Sequence, residues 1–131
     1  MIDNKTISLC LIVKNESEII TRLIRSCKSI IDYYIIVDTG SNDNTIDIIK
    51  QEMGDINGEI HERKWINFGH NRTELMELCH NKTDLLLLAD ADEEFIITDD
   101  FLKEKISYDW YYIKYVGELD YGKIRLVNFI R

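Results

Sequence analysis

Proline is absent from this chain of 131 residues, and cysteine occurs only three times. A proline-rich linker is therefore excluded, and no other linker, repeat or low-complexity stretch interrupts the chain. Cys10, Cys27 and Cys79 are odd in number, widely spaced and free of any C-x-x-C pair. That argues against a disulfide framework or a cysteine-rich zinc site, and three buried, reduced thiols are expected instead. Also missing are an apolar run near the ~18 residues of a membrane span and, in "MIDNKTISLC", a basic start followed by an apolar core. The expected location is the cytoplasm. Positive charge is scarce as well: 16 Lys and Arg against 24 Asp and Glu leave a net charge of −8. Such a balance speaks against nucleic acid or an anionic membrane as partner. A phosphate ligand is still admissible wherever a metal or an arginine reverses the local field.

What the chain does have is 45% hydrophobic and 31% charged residues, the composition of one soluble globular domain. "TISLCLIV" (Thr6 to Val13) is continuously apolar and β-branched, which predicts a strand buried on both faces. Asn15, with Glu18 three residues on, offers a capping box for a helix carrying Ile19, Ile20, Leu23, Ile24, Cys27, Ile30 and Ile31. "YYIIVD" (Tyr33 to Asp38) reads as a second strand, and "TGSNDN" as a turn whose Gly40 can take positive φ. A helix with Ile46, Ile49 and Met53 follows, stopped by Gly54. "GEIHER" is a weak strand around Ile60, and "WINFGHNRTELMELCHN" a loop passing into a helix with Leu75, Leu78 and Cys79 inward. "DLLLLAD" is the next strand. After Thr98, "DDFLKEKI" reads as a short helix, and "WYYIKYV" and "KIRLVNFI" as two strands around a "GELDYG" turn. Strands alternating with helices predict an α/β sheet, largely parallel, with right-handed crossovers. Trp65, Trp110, Tyr111 and Tyr112 are expected in the core. His61, His70 and His80 share no metal-ligand spacing and are expected in loops or on the surface.

The chemistry concentrates in "LLLLADADEEF", where a buried run ends in Asp90, Asp92, Glu93 and Glu94. From Thr83 to Leu102 there are seven acids and no Lys or Arg. In an open parallel sheet ligands sit beyond the carboxyl ends of the strands, where both Asp38 and Asp90 fall. If the segment is extended, residues two apart face the same way, so Asp90 and Asp92 can present carboxylates to one point. Carboxylates held close do not both stay ionised cheaply unless a proton or a cation intervenes, and the alternative for this stretch is a solvated acidic turn. Their oxygens suit Mg²⁺ or Mn²⁺, and Mg²⁺ is typically held by one or two carboxylates plus substrate phosphates. Arg72, in the first turns of its helix, stands where an anion is favoured; the alternative is an ion pair with Glu74 or Glu77.

Four blocks, "ISLCLIVKNESEII", "IIVDTGSNDNTIDII", "WINFGHNRTELMEL" and "LLLLADADEEF", resemble family 2 glycosyltransferases of the GT-A fold. The likeness runs from about Ile7 to Phe95 and is strongest to the bacterial branch with "VKNE" and "VDTGS" at its first two strand ends. The resemblance implies a three-layer α/β sandwich, a nucleotide-diphosphate sugar donor (a UDP-sugar favoured) and Mn²⁺ or Mg²⁺. By that analogy Val13, Lys14, Asn15 and Glu16 border the nucleoside, and Asp38 contacts the base. Arg72 helps hold the nucleotide, Asp90 approaches the ribose, and Asp92 binds the metal.

Members of that family are usually about twice this length, with an acceptor-binding half beyond the donor half. The expectation is a donor-binding domain over residues 1–131 with the acceptor half absent, as a fragment or a shortened homologue. No catalytic base is assigned, since Asp99, Asp100, Glu118 and Asp120 match no motif. The expected activity is metal-dependent glycosyl transfer, with a non-catalytic nucleotide-sugar-binding module as the alternative. A D-x-D phosphatase fits less well, because it wants Thr or Val where Glu94 stands and places its motif on the first strand. A sugar nucleotidyltransferase would need a Gly-rich basic loop after the first strand, and "IVKNESEI" has none. A truncated edge around "KIRLVNFI" is expected to favour self-association.

Overall fold

The computed structural model describes residues 5–97, 110–114 and 122–128. Within them the chain runs β1 (Ile7–Val13), α1 (Ile20–Cys27), β2 (Tyr33–Asp38), α2 (Thr45–Met53), β3 (Asn57–Glu62), α3 (Phe68–Leu78), β4 (Leu85–Leu88), β5 (Trp110–Lys114) and β6 (Gly122–Asn128). These strands form one sheet in the order β3-β2-β1-β4-β6-β5. β1 lies parallel to both β2 and β4, and β3 is parallel to β2. β6 is antiparallel to β4 and to β5.

The continuous apolar character of β1 follows from cover on both faces. Leu9 and Leu11 join Tyr34, Ile36, Leu85 and Leu87 under α1 and α2, whose Leu23, Ile24, Ile49 and Met53 are buried there. Cys10 joins Ile35, Val37, Leu86 and Leu88 on the other face, under Leu75 and Cys79. Helix, sheet and helix therefore make three layers, the α/β sandwich expected. The two helices of one face are tied together as well. Arg25 meets the Glu52 carboxylate through two nitrogens at 3.0 Å, and Lys28 Nζ donates to the Glu52 carbonyl. At Gly58 on β3 the Tyr34 ring lies so near that an added Cβ would sit 2.3 Å from it, so only glycine fits. Cys10, Cys27 and Cys79 are free and buried, as expected. Among the described residues no helix is long and apolar enough to cross a membrane.

Four expectations are corrected. The capping box at Asn15 and Glu18 does not form, and α1 begins only at Ile20, with Ile19 at its N-cap and no side-chain cap. Asn15 has a φ of +53°, because its backbone N–H and side chain are bonded to the loop after β2. That conformation is incompatible with the extended N-cap. Trp65, expected in the core, is 48% exposed in the loop before α3. Asp90 and Asp92 do not sit on an extended segment: β4 ends at Leu88, and the Glu93 N–H donates to the Asp90 carbonyl, closing a turn. Finally, β6 is paired on both sides, so the described part of "KIRLVNFI", Lys123 to Asn128, is not itself an open sheet edge. The helix expected at "DDFLKEKI", the "GELDYG" turn, and the side chains of Trp110, Tyr111 and Tyr112 lie outside the described residues, as do Asp99, Asp100, Glu118 and Asp120.

Candidate functional site

The carboxyl ends of β1 and β2 stand level, Val13 opposite Asp38, and Asp38 is in turn opposite Glu62 of β3. The loops leaving β1 and β2 are stitched to each other. Thr39 N–H and Oγ1 both donate to the Val13 carbonyl, at 3.0 and 3.3 Å. Asn15 N–H donates to Ser41 Oγ at 2.9 Å, and Asn42 N–H donates to Asn15 Oδ1 at 2.8 Å. One step further on, Glu16 N–H donates to Thr45 Oγ1, whose own N–H donates to Asp43 Oδ1. Gly40, at φ +116°, makes the tight turn possible. "VKNE" and "DTGSND" therefore act as one rigid ledge, with Lys14 exposed upon it.

Asp38 is 5% exposed, and its Oδ1 accepts from the Ser41 N–H at 3.1 Å. Its carbonyl accepts from the Arg63 N–H, which draws the end of β3 alongside. Between these two strand ends lies a cleft of about 400 Å³, walled by Asp38 to Ser41 on one side and Glu62 to Lys64 on the other.

The acidic loop after β4 closes the ledge from the far side. Glu93 Oε1 accepts from the Asp90 N–H at 2.6 Å. Arg22 of α1 donates to the Asp92 carbonyl at 2.8 Å, and Phe95 N–H donates to Ser26 Oγ. Backbone contacts with α1 thus hold the loop and leave the Asp92 carboxylate exposed. Burial raises the Glu16 carboxyl above its ordinary range, and the charges of Asp92 and Asp43 raise it further. Asp43 moves the other way, lowered chiefly by the Thr45 hydroxyl. Acids from three different loops accordingly share one field. Among the described residues no three His, Cys, Asp or Glu side chains converge closely enough to hold a metal unaided. Hard divalent ions bound through one or two carboxylates plus a ligand's phosphates do not need them to.

Arg72 is the fifth residue of α3, whose first turn rises from the carboxyl side of the sheet. Asn67 caps that helix, its side chain accepting from the His70 N–H. Glu74, one of the two partners considered for Arg72, is engaged by Arg63 at 3.6 Å and His70 at 3.5 Å instead. The Arg72 guanidinium lies over the Phe68 ring, its Cζ 5.8 Å from the centroid. It also reaches inward electrostatically. The Cys10 thiol is pushed well up by burial and by Cys79, whose sulfur is 3.2 Å away, and the Arg72 charge opposes that rise.

Of the histidines expected in loops or on the surface, His61 lies in β3 and pairs with Glu59 at 2.7 Å, His70 lies in the first turn of α3, and His80 is exposed. Asn71 was not singled out from the sequence. It is fully buried, accepting from Ile66 N–H and donating to the Lys64 carbonyl and to Glu74, and so shapes the loop that walls the cleft. The signal was present: Asn71, Leu75 and Cys79 fall at i, i+4 and i+8 on one helical stripe.

The pattern described as Glycosyl transferase family 2 matches residues 8–104. Among curated relatives, the SPbeta prophage-derived glycosyltransferase SunS of Bacillus subtilis is 38% identical over 76 residues, 57% of this chain and 18% of its own length. An uncharacterized glycosyltransferase of Rickettsia prowazekii, RP128, is 35% identical over 90 residues, covering 69% of this chain and 29% of its own. The match thus spans less than a third of the length of these curated relatives. Among solved structures, Staphylococcus aureus TarS 1-349 in complex with UDP superposes with a TM-score of 0.54 at 20% identity, over 66% of this chain and 27% of that one. Mycobacterium tuberculosis glucosyl-3-phosphoglycerate synthase in complex with Mn²⁺ and UDP-glucose gives 0.50 at 22% identity, over 68% and 34%. These likenesses identify the fold as GT-A. With the family pattern covering most of its length and its sheet built as in that fold, the chain belongs to glycosyl transferase family 2.

Proposed function

We propose that these residues form the donor-binding part of a glycosyltransferase, taking a nucleoside-diphosphate sugar, with a UDP-sugar favoured, together with Mn²⁺ or Mg²⁺. The observation that carries the reading is the ledge formed where the loops after β1 and β2 are stitched together beside the cleft, with the exposed Asp92 carboxylate on the loop after β4. Glu16 there is raised first by burial and then by the charges of Asp92 and Asp43. Such a field favours a cation over a solvated acidic turn. Crystals of the solved neighbours named above contain UDP or Mn²⁺ with UDP-glucose, which supports the choice of ligand.

In this reading Asp92 binds the metal and Asp90 approaches the ribose. Asp38 meets the base from within the cleft, its second carboxylate oxygen complementing a ring N–H. Val13 to Glu16 border the nucleoside, with Asn15 stiffening the ledge. Arg72 supplies positive charge to the nucleotide. A metal there would take up charge from the leaving diphosphate. Transfer also requires an acceptor in line with the anomeric carbon and a base within hydrogen-bond reach of its hydroxyl, and we assign neither.

The test is calorimetric titration of the chain with UDP, GDP and ADP, each in Mn²⁺ and in chelator. UDP is expected to bind in Mn²⁺ and to lose about tenfold or more in affinity without it, a difference of ~1.4 kcal/mol. Nucleotide binding indifferent to metal, or none at all, would contradict the reading.

A further inference from the structure

We propose that Phe68 is a positioning residue for Arg72, its exposed ring holding the guanidinium at the carboxyl end of the sheet before any nucleotide arrives. The proposal rests on the reading that Arg72 meets the donor. Three observations support it. Phe68 is 63% exposed in the first turn of α3, so burial does not account for a large apolar side chain there. It stands four residues before Arg72, the spacing that brings side chains together on one helical face. The Arg72 Cζ lies 5.8 Å from the ring centroid, within the reach of a cation–π contact.

The surroundings make this contact matter. Glu74 is occupied by Arg63, His70 and Asn71, so this carboxylate of the helix is turned to other partners. Among the described residues no ion pair fixes Arg72. An arginine without a carboxylate partner would sample many rotamers in water, and ordering it would weaken ligand binding. A ring face orders the planar guanidinium without neutralising it, whereas a carboxylate would cancel the charge an anionic ligand needs. The aromatic contact therefore prepares the cation without cancelling its charge.

The contact is electrostatic in origin, which separates it from simple packing. A ring with fluorine substituents keeps nearly the same shape and weakens the negative π-face. The experiment measures UDP affinity in Mn²⁺ for the parent, Phe68→Trp, Phe68→Leu, and the chain carrying a trifluorinated phenylalanine at 68, beside Arg72→Met. Thermal midpoints are recorded for each. Trp should bind UDP at least as tightly as the parent, while the fluorinated ring and Leu should weaken it about two- to fivefold, with midpoints unchanged. Arg72→Met should weaken binding more than any change at position 68. Equal affinity across the position-68 series, with Arg72→Met impaired, would overturn the positioning role and keep Arg72 in the site. Unchanged affinity in Arg72→Met would instead remove Arg72 from the donor site, and the proposal with it.

Discussion

Asp92→Asn is expected to remove most of the metal-dependent nucleotide affinity and to leave the fold intact. The loop is held by its backbone: Arg22 bonds the Asp92 carbonyl, and Ser26 receives the Phe95 N–H. Neither contact involves the Asp92 carboxylate, and that side chain is exposed. Exchanging one of its oxygens for an amide should therefore cost stability no more than about 0.5 kcal/mol. For metal binding the same change removes a full negative charge and a hard oxygen ligand. Loss of a group that merely supports a ligand costs about 10–100-fold, and loss of the ligand should cost at least that. The measurement is UDP affinity in Mn²⁺ and in chelator for parent and variant. Equal values for both proteins in both conditions would exclude Asp92 from the site.

The largest loss of stability is expected at Asn71. Its side chain is fully buried and makes three hydrogen bonds, to Ile66 N–H, the Lys64 carbonyl and Glu74. Two of those partners belong to the backbone of the loop between β3 and α3. Asn71→Ala would strand a donor and an acceptor at the same moment, each costing about 1–3 kcal/mol when shielded from water. A net loss of ~2–4 kcal/mol is expected in urea unfolding. Asn71→Asp keeps the acceptor for Ile66 but turns a carboxylate oxygen toward the Lys64 carbonyl and the Glu74 carboxylate, so it should cost at least as much as the alanine change. The cleft should suffer too, because Glu62 to Lys64 form one of its walls. A loss below ~0.5 kcal/mol, the range of ordinary surface changes, would mean that water replaces the side chain in this loop.

Most of the scaffold was legible because local pattern and tertiary burial agree there. "YYIIVD" is bounded by polar residues and becomes β2 over the same six residues, Tyr33–Asp38. Met53 and Gly54 end α2 as expected, since glycine adopts the φ of +58° found at its C-cap. The misreadings have different causes, and the one at Asn15 comes from partners that lie far away in the chain. Asn15 looked like a helix cap, yet its bonds go to Ser41 and Asn42, 26 and 27 residues later. Only the paired strand ends bring those loops together. Asp90 and Asp92 looked extended because "DLLLLAD" continues smoothly in hydropathy. The Glu93 side chain instead captures the Asp90 N–H and bends the chain.

At the site, residue types were legible and spatial relations were not. The excess of carboxylates after β4 was plain, but that Glu16 and Asp43 share a field with Asp92 depends on sheet order. β1 lies between β2 and β4, so the loops following those three strands become neighbours. Trp65 was misplaced because hydrophobicity was taken to imply burial, whereas exposed apolar residues are common on folded surfaces. Arg72 was correctly placed near the start of a helix, but its Phe68 contact required the helical face to be built.

Paramagnetic NMR tests most directly whether a metal-linked nucleotide site is assembled from the strand ends of β1, β2 and β4. Substoichiometric Mn²⁺ is added to isotope-labelled chain, first alone and then with UDP, and the amide signals are followed. The account predicts UDP-dependent broadening centred on Glu16, Asp43 and Asp92, while Ile30 and Asp55 at the opposite end of the sheet stay sharp. Broadening centred away from those three loops, or none when UDP is present, would contradict it.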